Sequence, residues 1–204
     1  MTTQATVRKG RKFNQVIDGA REIFMRDGFE GASVDEIARE AGVSKATLYS
    51  YFPDKRLLFI EVASAQCCRQ ADEALLSMDM TRPPREVLCE TGHKFLSFLY
   101  SEMGQRIFRI CVAEADRFPE LGQQFYQSGP AIMRKVMTDY LQAAQERGEL
   151  RIEDSDLAAD QFAELCKADL WSKAIFGIQS SFSDAEIARV VDGAVETFMA
   201  RYGT

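Results

Sequence analysis

Histidine is almost absent from these 204 residues, His93 being the only one. The five cysteines (Cys67, Cys68, Cys89, Cys111 and Cys166) form no C-x-x-C pair, so the ligand spacing of a metal site is missing as well. An odd count, with most members inside apolar helical patterns, reads as buried free thiols. There is no glycine-rich phosphate loop and no nucleophile–base arrangement, so an enzyme has no support and neither cofactor nor metal is expected. No apolar run is long enough to span a bilayer. The opening MTTQATVRKGRKF carries four basic residues, no acid and no apolar leader core. A cytoplasmic protein with no membrane partner is the expectation.

What is present is a globular composition, 46% hydrophobic and 27% charged. The formal net charge of −6 argues against a protein that coats nucleic acid nonspecifically, since phosphate repels an anionic surface at long range. The charge is uneven. Residues 1–55 hold nine Lys and Arg against eight Asp and Glu, and residues 56–204 hold sixteen against twenty-three. The first twelve residues carry four basic side chains and no acid, an arm suited to phosphate or a minor groove.

Apolar periodicity is helical almost throughout, and no segment reads convincingly as a strand. Phe13, Val16, Ile17, Ala20, Ile23 and Phe24 recur at three and four, and Gly28 closes that first amphipathic helix. A second, SVDEIAREAG, opens with a capping box in which Ser33 accepts from the Glu36 N–H and Glu36 reaches back to the Ser33 N–H. Gly42 stops it, and Ser44 caps a third, KATLYSY. Two short helices joined by a tight glycine turn behind a longer one make a helix-turn-helix. From Asp54 a long helix runs towards Met78, and the segment MTRPP marks a loop. Helices are then expected over 85–103, about 105–117 and about 120–147, broken at Gly104, Phe118-Pro119 and Ser128-Gly129-Pro130. Two more follow, DLAADQFAELCKADLWSKAIFG and SDAEIARVVDGAVETFMARY, the last with a capping box at Ser183 and Glu186.

At about 100° per residue, Leu48 and Phe52 share the inner side of the third helix while Ala46 and Ser50 lie opposite, with Thr47 and Tyr49 on the flanks. A merely solvated face would favour Glu, Lys or Gln. A small, hydrogen-bonding one suits a DNA major groove. Lys55 falls in the first turn of the next helix, where its charge opposes the helix dipole unless a phosphate or Asp54 compensates.

These residues closely resemble the DNA-binding domain of the TetR family of bacterial transcriptional repressors. The resemblance is carried by SVDEIAREAGVSKATLYSYFPDKRLL and the helix before it, with Ile37, Ala38, Ala41, Gly42, Val43, Ser44, Thr47, Leu48, Tyr49, Phe52 and Lys55 matching as they stand. Ala46 and Arg56 depart, standing where glycine and glutamate are frequent. The resemblance implies that Ser33, Thr47, Tyr49 and Lys55 hold phosphates, and that Lys45, Ala46, Ser50 and Tyr51 approach base edges beside the Ser44 cap. It also implies an all-α fold, with a DNA-binding domain over 1–55 joined by a long helix to a larger ligand-binding and dimerisation domain over 56–204.

Ten of the fourteen phenylalanines lie after residue 55. Phe95, Phe98, Leu99, Met103, Phe108, Cys111, Phe125, Met133, Met137, Phe162, Leu165 and Cys166 are candidates to line an apolar cavity, with Asp169 either a polar anchor or an ion-pair partner of Lys173. On the last helix Ile187, Val191, Ala194, Val195, Phe198 and Tyr202 form a broad face. That face either packs within the chain or joins two copies in a four-helix interface. The expectation is a homodimeric repressor that binds a palindromic double-stranded operator and is released by a small hydrophobic inducer. An architectural or division-associated DNA-binding protein without an inducer is the alternative.

Overall fold

Each helix of the chain is set by the local signals just described, and the ways in which helices end decide what they present. The computed structural model describes residues 10–65 and 79–204. The basic arm lies outside these residues except for positions 10–12. So do Cys67, Cys68 and the second half of the helix expected after Pro53. The chain divides into two compact units, Met1–Cys67 and Cys68–Thr204.

The first unit holds α1 (Arg11–Gly31), α2 (Val34–Glu40), α3 (Lys45–Tyr51) and α4, described over 55–65. Phe13, Val16, Ala20, Ile23 and Phe24 form the buried stripe of α1. Its helical run is interrupted at Gly28 (φ 69°, ψ 179°), and one further turn closes with the Ala32 N–H on the Gly28 carbonyl at 3.2 Å. At Gly19 a Cβ would stand 2.6 Å from the Ala41 nitrogen, so only glycine permits α2 to pack this closely on α1. α4 belongs to the same core: Leu58, Phe59, Ile60, Val62 and Ala63 are buried, and the Phe59 ring meets Phe24 and Phe29 edge-on at 5.1 and 5.0 Å. This compact unit therefore runs past residue 55, since the start of α4 packs with α1.

The second unit holds α5 (Pro84–Leu99), α6 (Glu102–Ala113), α7 (Pro119–Ser128), α8 (Pro130–Glu146), α9 (Ser155–Cys166), α10 (Leu170–Ile175) and α11 (Asp184–Tyr202). α11 packs on α5 and α9, and α8 on α9. Their shared core includes Leu88, Leu96, Tyr140, Leu141, Phe162, Cys166, Val191 and Phe198. Among the described residues the only β pairing is an isolated bridge, Leu150 with Gly203, which ties the chain end to the α8–α9 loop.

Two boundaries differ from expectation. The break expected at Gly104 falls at Tyr100-Ser101, because the Ser101 hydroxyl caps α6 by accepting from the Gly104 N–H at 3.0 Å. The single helix expected over DLAADQFAELCKADLWSKAIFG is two. Asp169 adopts φ 65°, a left-handed conformation uncommon for a residue with a Cβ, and separates α9 from α10.

Candidate nucleic-acid interface

The turn between α2 and α3 is a Schellman closure. The Val43 N–H donates to Ala38 O at 3.0 Å and the Gly42 N–H to Arg39 O at 3.1 Å, with Gly42 at φ 62°. Ser44 then caps α3 by accepting from the Thr47 N–H at 3.1 Å, and its hydroxyl meets the Thr47 hydroxyl at 2.9 Å. A seven-residue helix has little stability of its own. α3 is held by Leu48, 1% exposed, and Phe52, 7% exposed, the latter's ring tilted against Phe13 with centroids 5.5 Å apart. Burying Leu48 contributes about 1.5–3 kcal/mol.

Opposite that anchor, Lys45, Ala46, Tyr49 and Ser50 are exposed and contiguous on one face. The Ser50 hydroxyl donates back to Thr47 O at 2.6 Å, so towards a partner it serves as an acceptor. Lys45 forms an ion pair with Asp35 of α2. Thr47 is half-buried and already paired with Ser44. Tyr51 is half-buried too, its ring edge-on to Phe13 at 5.7 Å, so it belongs as much to the α1–α3 seam as to the outer face.

Ser33 caps α2, accepting from the Glu36 N–H at 3.1 Å. The reciprocal half of the expected box is replaced: the Glu36 carboxylate accepts from the Ser33 hydroxyl at 2.8 Å instead of the backbone N–H. Ser183 and Glu186 make the complete box on α11. Lys55 has an inward role that sequence reasoning missed. Its ammonium donates to Phe29 O at 2.8 Å and Ala32 O at 3.1 Å, and stands 4.5 Å from the centre of the Phe29 ring. It thus caps the carbonyl end of α1, a partner twenty-six residues away that no local pattern indicates.

In the second unit the expected pocket residues separate into three groups. Met137, Phe162 and Cys166 are core, Phe162 lying edge-on to Phe198 at 5.7 Å. Phe95, Leu99 and Leu165 are partly buried against that core. Phe108 lies at 4.8 Å from Trp171 and 6.3 Å from Phe125, a half-buried aromatic group on α6, α7 and α10. Phe98, Met103 and Met133 are likewise half-buried, and Cys111 is buried. Burial pushes the Cys166 thiol up to about 12 and the Cys111 thiol to about 11, so both remain protonated. Asp169 is exposed and bound to Lys173 at 2.7 Å and to Arg189. The hydrogen bond from Lys173, then that from Arg189, holds its carboxyl below the usual carboxylate range.

On the last helix, the face that could pack within the chain or join two copies lies against the chain's own core. Val191, Ala194, Val195, Phe198 and Tyr202 are all buried within the chain itself, against α5 and α9, and Ile187 packs on the same core. A second copy would have to open that core to touch them. Tyr100 was not among the expected site residues. It is 8% exposed, its hydroxyl has no hydrogen-bond partner among the described residues, and burial pushes it up to about 12. The signal in the sequence was a tyrosine on the Phe95, Leu96, Leu99 stripe, where phenylalanine would fill the same volume.

Two family models match. The one described as bacterial regulatory proteins of the tetR family covers residues 16–62, and the C-terminal domain of AefR-like transcriptional repressors covers residues 86–204. Among solved structures, a TetR-family transcriptional regulator from Mesorhizobium loti MAFF303099 is 30% identical, with 97% of this chain and 100% of that one aligned and a TM-score of 0.77. The flavonoid-responsive regulator FrrA is also 30% identical, covering 95% and 98%, with a TM-score of 0.71. Among curated proteins, the biofilm operon icaADBC negative transcriptional regulator IcaR of Staphylococcus aureus is 23% identical over 113 residues. That match takes in 55% of this chain and 59% of the relative, so the chain spans less than two thirds of the length of the curated relative it matches. The helix-turn-helix geometry, the two family matches and the full-length similarity to the Mesorhizobium protein agree: the chain belongs to the TetR family of bacterial transcriptional regulators, DNA-binding proteins and not enzymes.

Proposed function

We propose that the protein is a dimeric repressor that reads a two-fold symmetric operator with α3 and is released by a small hydrophobic or aromatic ligand. The observation that carries the reading is the outer face of α3, where Lys45, Ala46, Tyr49 and Ser50 stand exposed opposite the docked Leu48. Ala46 offers a methyl to a thymine methyl, and Ser50 as an acceptor suits an adenine N6 or cytosine N4 donor. Tyr49, with Ser33, Ser44 and Thr47 at the helix starts, faces the backbone, so phosphate contacts set register while the small face chooses sequence. The ion pair between Lys45 and Asp35 exchanges for a phosphate or a guanine edge on binding.

Dimerisation follows from the need to place two reading helices in successive grooves. With the apolar face of α11 committed to its own core, the second copy would meet the outward face, where Gly193 and Ala200 are exposed and small. Ligand response is supported by the similarity to FrrA, a protein described as flavonoid-responsive. A ligand releases DNA only by binding the DNA-incompetent state more tightly, and DNA must then weaken ligand binding by the same factor.

Selection from a random duplex pool, followed by gel shift, tests the reading. The expected winner is an inverted repeat whose half-sites lie about one helical turn, 10–10.5 base pairs, or a multiple apart. Light scattering should give twice the 23.0 kDa chain mass. A monomer at micromolar concentration, or selected sites without two-fold symmetry, would refute it. An operator that no apolar compound releases would favour an architectural role instead.

A further inference from the structure

Tyr100 follows the last residue of α5, with its side chain inside the second unit, its hydroxyl buried and without a hydrogen-bond partner among the described residues. Buried phenol hydroxyls nearly always find one, so an orphan calls for an explanation. The surrounding polar groups are otherwise satisfied. Gln105 donates to the Tyr100 carbonyl at 2.9 Å and to Ser180 O at 3.2 Å, while Arg109 bridges Gln105 Oε1 at 3.2 Å and Ala174 O at 2.6 Å. Among the described residues the hydrogen bond left unmade here is that of the phenol. The ring lies against Phe182, with centroids 4.6 Å apart, and Cys166 and Asp169 at the α9–α10 break lie close enough to act on its charge state.

We infer that the Tyr100 hydroxyl is the polar anchor of a ligand site in the second unit, for a neutral, largely apolar molecule bearing one hydrogen-bonding oxygen such as a ketone. The inference rests on the ligand-released reading and names the chemistry of its ligand. Neutrality follows from the surroundings. Phe182 is apolar, the Cys166 thiol stays protonated, and the Arg109 guanidinium is already shared between two acceptors. Asp169 is paired with Lys173 and Arg189, so none of these three groups offers a free charge to a ligand. The wall that yields to the ligand is α10, six residues long and preceded by Asp169 at φ 65°. That segment is held to its surroundings by side-chain links: Asp169 to Arg189, and Arg109 to Ala174 O. A ligand oxygen that takes the phenol hydrogen satisfies the orphan and displaces this wall, a conformational bias of the kind operator release requires.

The test uses the full-length protein and two probes of similar shape: flavone, a neutral ketone, and 2-phenylnaphthalene, which lacks both the ketone and the ring oxygen. Binding is read through Trp171, the single tryptophan, which lies on α10. The wild type should prefer flavone, and Tyr100→Phe should weaken flavone binding about three- to tenfold while leaving 2-phenylnaphthalene unchanged. Without ligand, Tyr100→Phe should unfold at the same or a higher temperature, since only an unpaired hydroxyl is removed. No preference for flavone in the wild type, a preference that survives in the variant, or a lower unfolding temperature each overturns the anchor. Operator release is scored in parallel on a wider panel of apolar compounds. Release by any of them keeps the ligand-responsive reading even where the anchor falls, and release by none removes both.

Discussion

Lys55→Ala removes an ammonium that donates to Phe29 O at 2.8 Å and to Ala32 O at 3.1 Å. Hydrogen bonds from a charged group contribute about 1.5–3 kcal/mol each, and the freed carbonyls at the end of α1 regain water, so the net loss for the pair is about 2 kcal/mol. Lys55→Met, which keeps the stem over the Phe29 ring, should lose nearly as much, because the ring contact contributes only about 0.5–1 kcal/mol. Native-state hydrogen exchange on the full-length protein is the assay. A local loss of about 2 kcal/mol speeds exchange of protected α1 and α4 amides by roughly thirtyfold. Operator binding is followed across a salt series. A phosphate contact at Lys55 would lower the slope of log K against log salt by about 0.9, whereas an inward cap leaves the slope unchanged. Unchanged exchange together with a slope lower by that amount would refute the capping role and restore the phosphate role that the helix dipole alone suggests.

Three further outcomes follow from particular contacts. Gly19→Ala places a Cβ 2.6 Å from the Ala41 nitrogen, so it should cost about 1–3 kcal/mol and abolish operator binding, read by thermal unfolding and gel shift. A variant with full stability would mean that α1 and α2 tolerate separation. Asp169→Ala and Asp169→Gly both lose the links to Lys173 and Arg189, but only glycine accepts φ 65° freely. The glycine variant should therefore unfold about 2–4 °C above the alanine one, and equal transitions would remove the backbone argument. The Cys111, Cys166, Tyr100 and Tyr140 groups are all raised by burial, to about 11 for the first and about 12 for the others, from 9.0 for a thiol and 10.0 for a phenol. Above pH 9 the unfolded chain releases protons that the folded chain keeps, so stability falls as pH rises towards 12. Denaturant melts that stay level from pH 9 to 11 would contradict this.

Local devices were legible in the sequence and long-range ones were not. The apolar period of α1, the Ser44 and Ser183 caps and the Gly42 turn depend on neighbours within four or five residues, and each formed as its pattern requires. The Ser33 box formed by half, because the Glu36 carboxylate chose a hydroxyl over a backbone N–H that is equally near in sequence. Gly104 looks like a breaker, yet Ser101 ends the helix three residues earlier by supplying the cap. The Asp169 break has no glycine or proline to announce it. Its ion pairs with Lys173 and Arg189 accompany a conformation that the chain alone disfavours.

By itself the sequence determined an all-helical chain, a helix-turn-helix at its start, and that Leu48 faces inward on α3 while Ala46 and Ser50 face out. Those properties follow from 3.6-residue periodicity and first-turn hydrogen bonds, which act over a few residues. Tertiary structure alone decided that Lys55 caps α1, that the apolar face of α11 is consumed by α5 and α9, and that the Tyr100 hydroxyl is buried with no partner among the described residues. An apolar stripe states that it will be covered and not by what. The choice between its own core, a second copy and a ligand is made only when elements distant in sequence compete for the same surface.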